Sequence, residues 1–141
     1  MNQEDVRYTV EQILSQDLVG PMSTIQNQKP VSRYMTFLNK DLTLYTATNK
    51  QTDKVDELRE HPYTHILLGY DGDGFGDAYV EYQGKVAITD NEHVKQEIWT
   101  DGMEAYFDGP EDPNLMILKI TPEHIQLMNK TDGSPEVTLD L

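Results

Sequence analysis

The 141-residue chain has no cysteine, few basic residues and no long apolar run. The absence of cysteine excludes disulfides, thiol catalysis and cysteine-bound metals. No apolar run approaches the roughly 20 residues that span a bilayer, and the N-terminus lacks the basic and apolar regions of a signal peptide. We therefore expect a soluble, cytoplasmic protein that folds as a single domain over residues 1–141.

The basic residues are scarce and unevenly distributed. Eleven lysines and arginines stand against 25 acidic residues, which gives a formal charge of −14 and argues against nucleic acid or an anionic membrane as partner. Between Lys29 and Glu60 there are six bases and five acids, whereas the remainder carries five bases and 20 acids. A small anion would meet the least repulsion in this basic segment. Chance clustering of six bases is the alternative explanation.

The spacing of apolar residues predicts three helices and seven strands. The helices are expected at 3–18, Asp53–Glu60 and 91–100, with 103–107 as an extension of the last. The strands are expected at 19–25, 31–38, 42–48, 63–70, 78–89, 115–120 and 125–129. Pro62 ends the second helix, and Gly84 indicates a bulge or a close approach of the backbone within its strand. The polar residues after 129 are expected to be loosely held.

The order of these elements predicts a mainly β (α+β) fold. Short strands dominate and the helices fall between them, which fits an antiparallel sheet closed into a barrel with helices packed outside. The first three strands have short connections and are predicted to pair as a meander. A doubly wound parallel sheet fits poorly, because the strands do not alternate with long helices.

Several familiar site patterns are absent or broken. Asp71–Asp77 is rich in aspartate and glycine, but Phe75 and Tyr82 stand where an EF-hand loop needs oxygen ligands. His61 and His65 are four residues apart, but the proline between them prevents a helix that would align them on zinc. We predict no metal site, and the spacing assigns no catalytic residue.

The best candidate for a binding site is the corner at 46–54, TATNKQTDK. A strand ends there and a helix begins, and a helix N-terminus offers unpaired N–H groups and partial positive charge to a phosphate. Thr52 or Asp53 is predicted to cap the helix. The alternative is an ordinary helix cap beside surface lysines, since most helix starts bind nothing.

Arg33 stands in a strand with apolar neighbours, among them Tyr34 and Met35. An arginine in such a strand needs a partner, either a carboxylate or a ligand phosphate. Together with Lys54 it can hold a phosphate through charge-assisted hydrogen bonds, each worth roughly 1.5–3 kcal/mol. A salt bridge to one of the many acids is an equally open alternative.

A series of short motifs then carries a resemblance over nearly the whole chain. In order they are GPMST at 20–24, SRYM at 32–35, LYTAT at 44–48, TDK at 52–54, HP at 61–62, GKVAITD at 84–90, Trp99 and DPNL at 112–115. Their order and spacing resemble the pyridoxamine 5′-phosphate oxidase-like FMN-binding proteins, in particular the short general stress protein 26 type. The resemblance implies an antiparallel split β-barrel of six to seven strands with Greek-key character and flanking short helices. It also implies a homodimer with FMN at the subunit interface.

The resemblance implies which residues hold the two ends of the cofactor. Arg33 and Lys54 would hold the FMN phosphate with help from Thr52. Trp99 would cover the flavin from the partner subunit.

The ring and the ribityl chain would be contacted by two strands. The backbone of Tyr34, Met35 and Thr36 would run along the flavin. Tyr45 and Thr46 would contact ring or ribityl oxygens.

The chain departs from the family pattern at three places. Asp53 stands where many of these oxidases have a second base, and the loss of one charged hydrogen bond would weaken FMN binding about 10–100-fold. Tyr79 replaces a flavin-binding glutamine. The chain ends at Leu141, before the strand that carries the substrate-binding arginine and histidine, so oxidation of vitamin B6 is not expected.

The prediction is therefore an FMN-binding, flavin-dependent oxidoreductase that is not a true pyridoxamine phosphate oxidase. The alternative is a non-catalytic, stress-related protein that binds or buffers flavin, or another cofactor such as a deazaflavin or haem. Turnover with NAD(P)H and an electron acceptor separates an enzyme from a binder. Haem would need a histidine near the pocket, and none of the four is obviously placed there.

Overall fold

A computed structural model describes residues 2–16, 18–72, 77–129 and 136–141. It contains three α-helices, one 3₁₀ helix and eight strands within those ranges. The helices are α1 Gln3–Leu14, α2 Asp53–Glu60, α3 Glu92–Ile98 and the 3₁₀ helix Asp101–Ala105. The strands are β1 Val19–Gln26, β2 Lys29–Thr36, β3 Leu38–Lys40, β4 Thr43–Asn49, β5 Tyr63–Leu68, β6 Tyr79–Thr89, β7 Leu115–Met128 and β8 Glu136–Leu139. In the described ranges, no helix is long and apolar enough to cross a membrane.

The strands form one antiparallel sheet in the order β2-β1-β5-β6-β7-β4-β3, and β8 pairs with the C-terminal half of β7. The sheet curls into a half-barrel, so the predicted antiparallel split-barrel class is confirmed. The predicted meander is confirmed for its first pair, because β1 and β2 are antiparallel neighbours. It is wrong for the next pair, because β4 pairs with β3 and β7 instead of β2. The chain leaves β2 at Phe37, whose side chain is fully buried in the core, and so separates β2 from β4.

The sheet buries side chains on both of its faces near β4 and β7. Alternating residues of the strands, such as Leu44 on β4, point into the main core, and α1 covers that core with Val6, Val10 and Leu14. The opposite face of β4 and β7 carries a second cluster, whose buried members are Tyr45, Ile98, Leu115 and Ile117. The end of α3 and the 3₁₀ helix cover this second cluster, and this arrangement places them beside β4.

Two strands predicted at 115–120 and 125–129 are a single strand of 14 residues, β7. Pro122 lies in the middle of this strand, although proline has no N–H for the ladder. In the fold Pro122 lies opposite Gly84, where the β6–β7 register shifts by a bulge, so no ladder bond is required there. The register does shift at Gly84, but the residue left without a cross-strand partner is Glu123 on β7. A Cβ on Gly84 would come within 2.6 Å of Ile120 Cγ2.

Other boundaries also differ from the prediction. Helix α1 ends at Leu14 rather than at residue 18, and residues 103–107 do not extend α3, because the extended backbone at Trp99 breaks the helix before the 3₁₀ turn begins. The tail predicted to be loose contains β8, which pairs with β7 in full register. The glycine-rich stretch predicted as a solvated loop lies partly outside the described residues, which exclude 73–76.

Tyr82 stabilises the barrel through its hydroxyl group. Its side chain is fully buried, and the hydroxyl donates to the backbone oxygen of Leu42 at 2.6 Å and lies 3.0 Å from that of Ile120. The bond links β6 to the turn before β4 and to β7.

We expect Tyr82→Phe to lower the free energy of unfolding by about 1–3 kcal/mol, because buried carbonyl groups lose their donor. Urea denaturation followed by circular dichroism measures this change. The matched control is Tyr63→Phe, since Tyr63 is exposed on β5. Equal effects of the two substitutions would show that the buried hydroxyl contributes no more to the free energy of unfolding than an exposed one.

Candidate functional site

A cavity in the described part of the chain lies where β2 and β4 separate. Its volume is about 500 Å³. The ends of β2 and β4 form one side, and the segment around the 3₁₀ helix forms the other. The lining residues are Tyr34, Met35, Thr36, Leu38, Tyr45, Thr46, Ala47, Thr48, Asn49, Thr100, Gly102, Met103, Tyr106 and Phe107. These residues supply apolar surface, hydroxyl groups and amide groups, and none of them carries an ionised side chain.

Five of the nine predicted site residues line this cavity: Tyr34, Met35, Thr36, Tyr45 and Thr46. The structure brings them together although β2 and β4 share no ladder. A hydrogen bond from Thr46 Oγ1 to the backbone oxygen of Thr36, 2.8 Å long, joins the two strands across the floor. Thr46 and Tyr45 are buried, whereas the Tyr34 ring is 78% exposed at the mouth.

Lys54 and Arg33 form a cationic site directly beside the cavity. The Lys54 side chain is only 7% exposed, and its ammonium group donates to Met35 Sδ at 3.3 Å. Met35 also lines the cavity, so the Lys54 ammonium group contacts a residue of the cavity wall. Burial, and secondarily the Arg33 guanidinium, lower the pKa of Lys54 to about 8. Two cations therefore lie close enough to repel each other.

Neither cation is neutralised by a carboxylate in the described ranges. Arg33 donates from Nη2 to Gln26 Oε1 at 3.0 Å, and no described Asp or Glu oxygen lies within 4.0 Å of either side chain. The alternative of a salt bridge for Arg33 is thus replaced by an uncharged amide partner. A buried ammonium that donates to a thioether is costly, because sulfur is a weak acceptor. Such an arrangement is suited to an anion that supplies a stronger acceptor.

Thr52 stands at the start of α2, as predicted, but its side chain makes no capping bond. Its hydroxyl donates instead to the backbone oxygen of Asn49, a residue that lines the cavity. Asn49 holds the corner through its own side chain as well, which accepts from Gln51 N. The 46–54 corner is therefore an ordered turn that leads from the cavity floor to Lys54. Asp53 is exposed, so water screens its charge.

Trp99 does not line the cavity of its own chain. It ends α3 and packs, half-buried, against the second cluster. The sequence prediction missed the neighbouring wall formed by Met103, Tyr106 and Phe107. The signal was available, because these three apolar residues interrupt an acidic, glycine-rich stretch.

The four histidines are not part of the cavity lining. His65 lies 3.3 Å from Glu81 on the outer face of the sheet. Within the described ranges, no group of three or more histidine, aspartate or glutamate side chains converges in a way that could hold a metal ion.

Comparison with known proteins assigns this architecture. A family model described as pyridoxamine 5′-phosphate oxidase matches residues 7–129. General stress protein 26 of Bacillus subtilis (strain 168) is 50% identical over all 141 residues, with both chains covered completely. Both matches include the cavity and the Arg33–Lys54 site.

Two solved structures share the fold along most of their length. The general stress protein 26 of Bacillus anthracis str. Sterne superimposes with a TM-score of 0.82 at 29% identity, covering 95% of this chain and 98% of that one. A candidate pyridoxamine 5′-phosphate oxidase of Listeria innocua superimposes with a TM-score of 0.78 at 35% identity, covering 89% and 99%.

Proposed function

Because the chain belongs to the pyridoxamine 5′-phosphate oxidase family, we propose that its cavity binds FMN and that the protein is a flavin-dependent oxidoreductase. The observation that carries this proposal is the pair Arg33 and Lys54. They are two cations without a described carboxylate partner, and they lie beside an uncharged cavity large enough for a planar ring. Among solved structures with this fold, one from Nostoc punctiforme is described as an FMN binding protein and another as an F420 reductase. At 15% and 21% identity they show a common fold alone.

The residues present fit the two chemically different ends of FMN. The guanidinium of Arg33 and the ammonium of Lys54 would hold the phosphate, with the Thr52 hydroxyl nearby. Charge-assisted hydrogen bonds of this kind are the strong ones. Thr46, Tyr45 and the backbone of 34–36 would contact the ring and the ribityl chain. Bound flavin would supply hydride and electron transfer, and the protein would supply anchoring and exclusion of water.

The open mouth of the cavity supports the homodimer. Tyr34 and Tyr106 are 78% and 82% exposed at the edge of an otherwise apolar space. Large exposed aromatic rings beside a cavity are typical of a surface that a partner covers. A second copy of the chain would close the site. Since Trp99 is packed into its own subunit, Tyr106 is the better candidate to contact the cofactor of the partner.

The lining also bears on the substrate. It contains no arginine, lysine or histidine for the phosphate of a vitamin B6 compound. This supports an activity different from that of a true pyridoxamine phosphate oxidase, on an uncharged electron acceptor. Haem is disfavoured because no histidine reaches the cavity.

A titration with FMN and riboflavin tests the proposal. We expect FMN to bind at least about 1000-fold more tightly than riboflavin, because three charged hydrogen bonds at roughly 1.5 kcal/mol each, two from Arg33 and one from Lys54, are made only to the phosphate. Quenching of flavin fluorescence gives both dissociation constants, and a deazaflavin phosphate is titrated alongside.

Three other results would change the proposal in different ways. Equal affinities for FMN and riboflavin would refute the phosphate site. Tighter binding of the deazaflavin phosphate than of FMN would indicate a deazaflavin as the cofactor. FMN that binds but is not reduced by NAD(P)H or another donor would support the alternative, a protein that binds or buffers flavin.

A further inference from the structure

One wall of the cavity belongs to a segment with little regular structure of its own. Residues 100–107 run from the end of α3 through the 3₁₀ helix, and they contribute Met103, Tyr106 and Phe107 to the lining. The ends of the segment are held by the bonds from Met103 N to Thr100 O, from Tyr106 N to Met103 O and from Phe107 N to Met103 O, at 3.0, 3.0 and 2.9 Å. Because short 3₁₀ turns have poor hydrogen-bond geometry, this wall needs support from elsewhere in the fold.

The support begins at Lys95 on α3. Its side chain is only 4% exposed, and its ammonium group donates to the backbone oxygen of Asp112 at 2.9 Å. No carboxylate oxygen of the described residues lies within 4.0 Å of that group. A charge buried so deeply is costly, and an apolar side chain would fill the space at lower cost. The bond to Asp112 is what a lysine provides at this position and an apolar residue does not.

Asp112 links Lys95 to the residues that follow the wall in the chain. Its carboxylate accepts from Asp108 N and from Asn114 N, each at 2.9 Å. These two N–H groups, and then the Lys95 ammonium, hold the pKa of Asp112 below its usual value, so the group is an anion at neutral pH. Asn114 O in turn accepts from Lys50 N at 2.8 Å, directly after the cavity residue Asn49. The contacts form a continuous connection from α3 to the end of β4.

We propose that Lys95 is a positioning residue, which ties α3 to Asp112 and so holds the 100–107 wall over the cavity. The segment between residues 95 and 112 is then a closed loop whose ends are joined by one buried hydrogen bond. The wall forms one side of the cavity, so a ligand bound there contacts it, and that contact is firmer when the wall is held in place. Lys95 therefore slows the dissociation of the bound molecule without touching it. The identity of the ligand in this proposal rests on the proposed function. The effect of Lys95 on the wall does not depend on which ligand binds.

The experiment compares Lys95→Met with the wild type in two measurements. Hydrogen–deuterium exchange on the protein without flavin reports directly on amides 100–107, and we expect faster exchange confined to this segment and to 108–114. Stopped-flow displacement reports on the ligand. We expect FMN and riboflavin to dissociate about 10-fold faster, and to the same extent, because the wall side chains that would contact both flavins are less ordered in the variant. The ratio of FMN to riboflavin affinity should stay constant, since the phosphate site is untouched.

Two further variants make the comparison strict. Lys85→Met removes an exposed lysine from β6, outside the cavity, and should leave exchange and dissociation unchanged. Asp112→Asn keeps the backbone oxygen but removes the anion. It should loosen residues 108–114, whose end N–H groups donate to the carboxylate, while the Lys95 bond stays in place. Lys95→Gln, which also removes the ammonium group, replaces Lys95→Met if that variant does not fold.

Unchanged exchange at 100–107, or faster exchange spread evenly over the barrel, would overturn the proposal. A wall that loosened while both flavins dissociated at the wild-type rate would overturn it as well. If the wild type bound neither flavin, the proposed function and the effect on dissociation would fall together. The exchange rates would still decide whether Lys95 holds the wall.

Discussion

Replacing Arg33 by alanine is expected to weaken FMN binding by at least about 100-fold, because the phosphate loses a bidentate guanidinium partner worth two charged hydrogen bonds. Riboflavin, which has no phosphate, should bind the variant as it binds the wild type. The effect should be large because Arg33 is exposed enough to reach a ligand and donates to the uncharged amide of Gln26, so no carboxylate of the described residues neutralises its charge. Fluorescence titration with both flavins measures the change.

The control for Arg33→Ala is Arg59→Ala. Arg59 lies on α2, in the same basic segment, but it is exposed and contacts Asp56 at 3.8 Å. If the general positive field of residues 29–60 attracted FMN, both substitutions would weaken binding alike. If Arg33 holds the phosphate, its loss alone matters. An unchanged FMN affinity in Arg33→Ala would remove the phosphate site from this location.

Replacing Lys54 by methionine is expected to have opposite effects on stability and on binding. The folded protein holds the pKa of Lys54 at about 8, below the usual 10.5. The buried ammonium thus opposes folding at full strength below pH 8, and this cost disappears as the pH rises from 8 towards 10.5. Removing the charge should therefore raise the free energy of unfolding at pH 7 by up to about 3 kcal/mol. The same substitution should weaken FMN binding about 10–100-fold, because one charged hydrogen bond to the phosphate is lost.

The pH dependence of FMN binding provides an independent test of Lys54. The ammonium form is needed to hold the phosphate, so the affinity of the wild type should fall as the pH rises above about 8, while Lys54→Met should show no such fall. Below about pH 6 the phosphate itself takes up a proton, and the affinity should fall again in both proteins.

Urea denaturation measures the effect on stability, and FMN titrations measure the effect on binding. Both are carried out between about pH 5.5 and 9.5, a range that includes the phosphate pKa of about 6 and the Lys54 pKa of about 8. Lys50→Met is the control, since Lys50 is exposed in the same corner. A variant that was less stable and bound FMN as well as the wild type would contradict the role of Lys54.

Most of the candidate site could be predicted from the sequence, because short-range sequence features indicate its residues. The hydroxyl-rich corner at 46–54, the helix start at Thr52 and the arginine among apolar neighbours are short-range signals. The structure places the predicted residues Tyr45 and Thr46 on the floor of the cavity and Lys54 beside it. What the pattern indicated wrongly was the pairing of the strands. Short connections favour a meander. Burying the Phe37 side chain stabilises the fold more than extending the β2 ladder would, so the chain crosses to a different part of the sheet.

The wall at 100–107 could not be predicted, because its position depends on contacts between distant residues. The sequence pattern of these residues resembles a continuation of α3. The helix ends at Trp99, and neither Trp99 nor its two neighbours is a proline or a glycine. Lys95 resembles one more surface lysine on a short helix. Its burial, and its bond to a carbonyl 17 residues away, exist only once α3 has packed against β7 and the second cluster.

By itself the sequence determined the class of this protein: an antiparallel, mainly β fold without disulfides or cysteine-bound metals, with its scarce basic residues gathered near one strand-to-helix corner. Periodicity and composition act over a few residues and are visible in the chain. The tertiary structure alone decided that β2 and β4 part to leave a cavity. It also decided that Lys54 is buried beside that cavity facing a thioether, and that Lys95 is buried against the segment that forms one wall. These properties follow from packing between residues far apart in sequence, where burial changes both the pKa of a lysine and the cost of its charge.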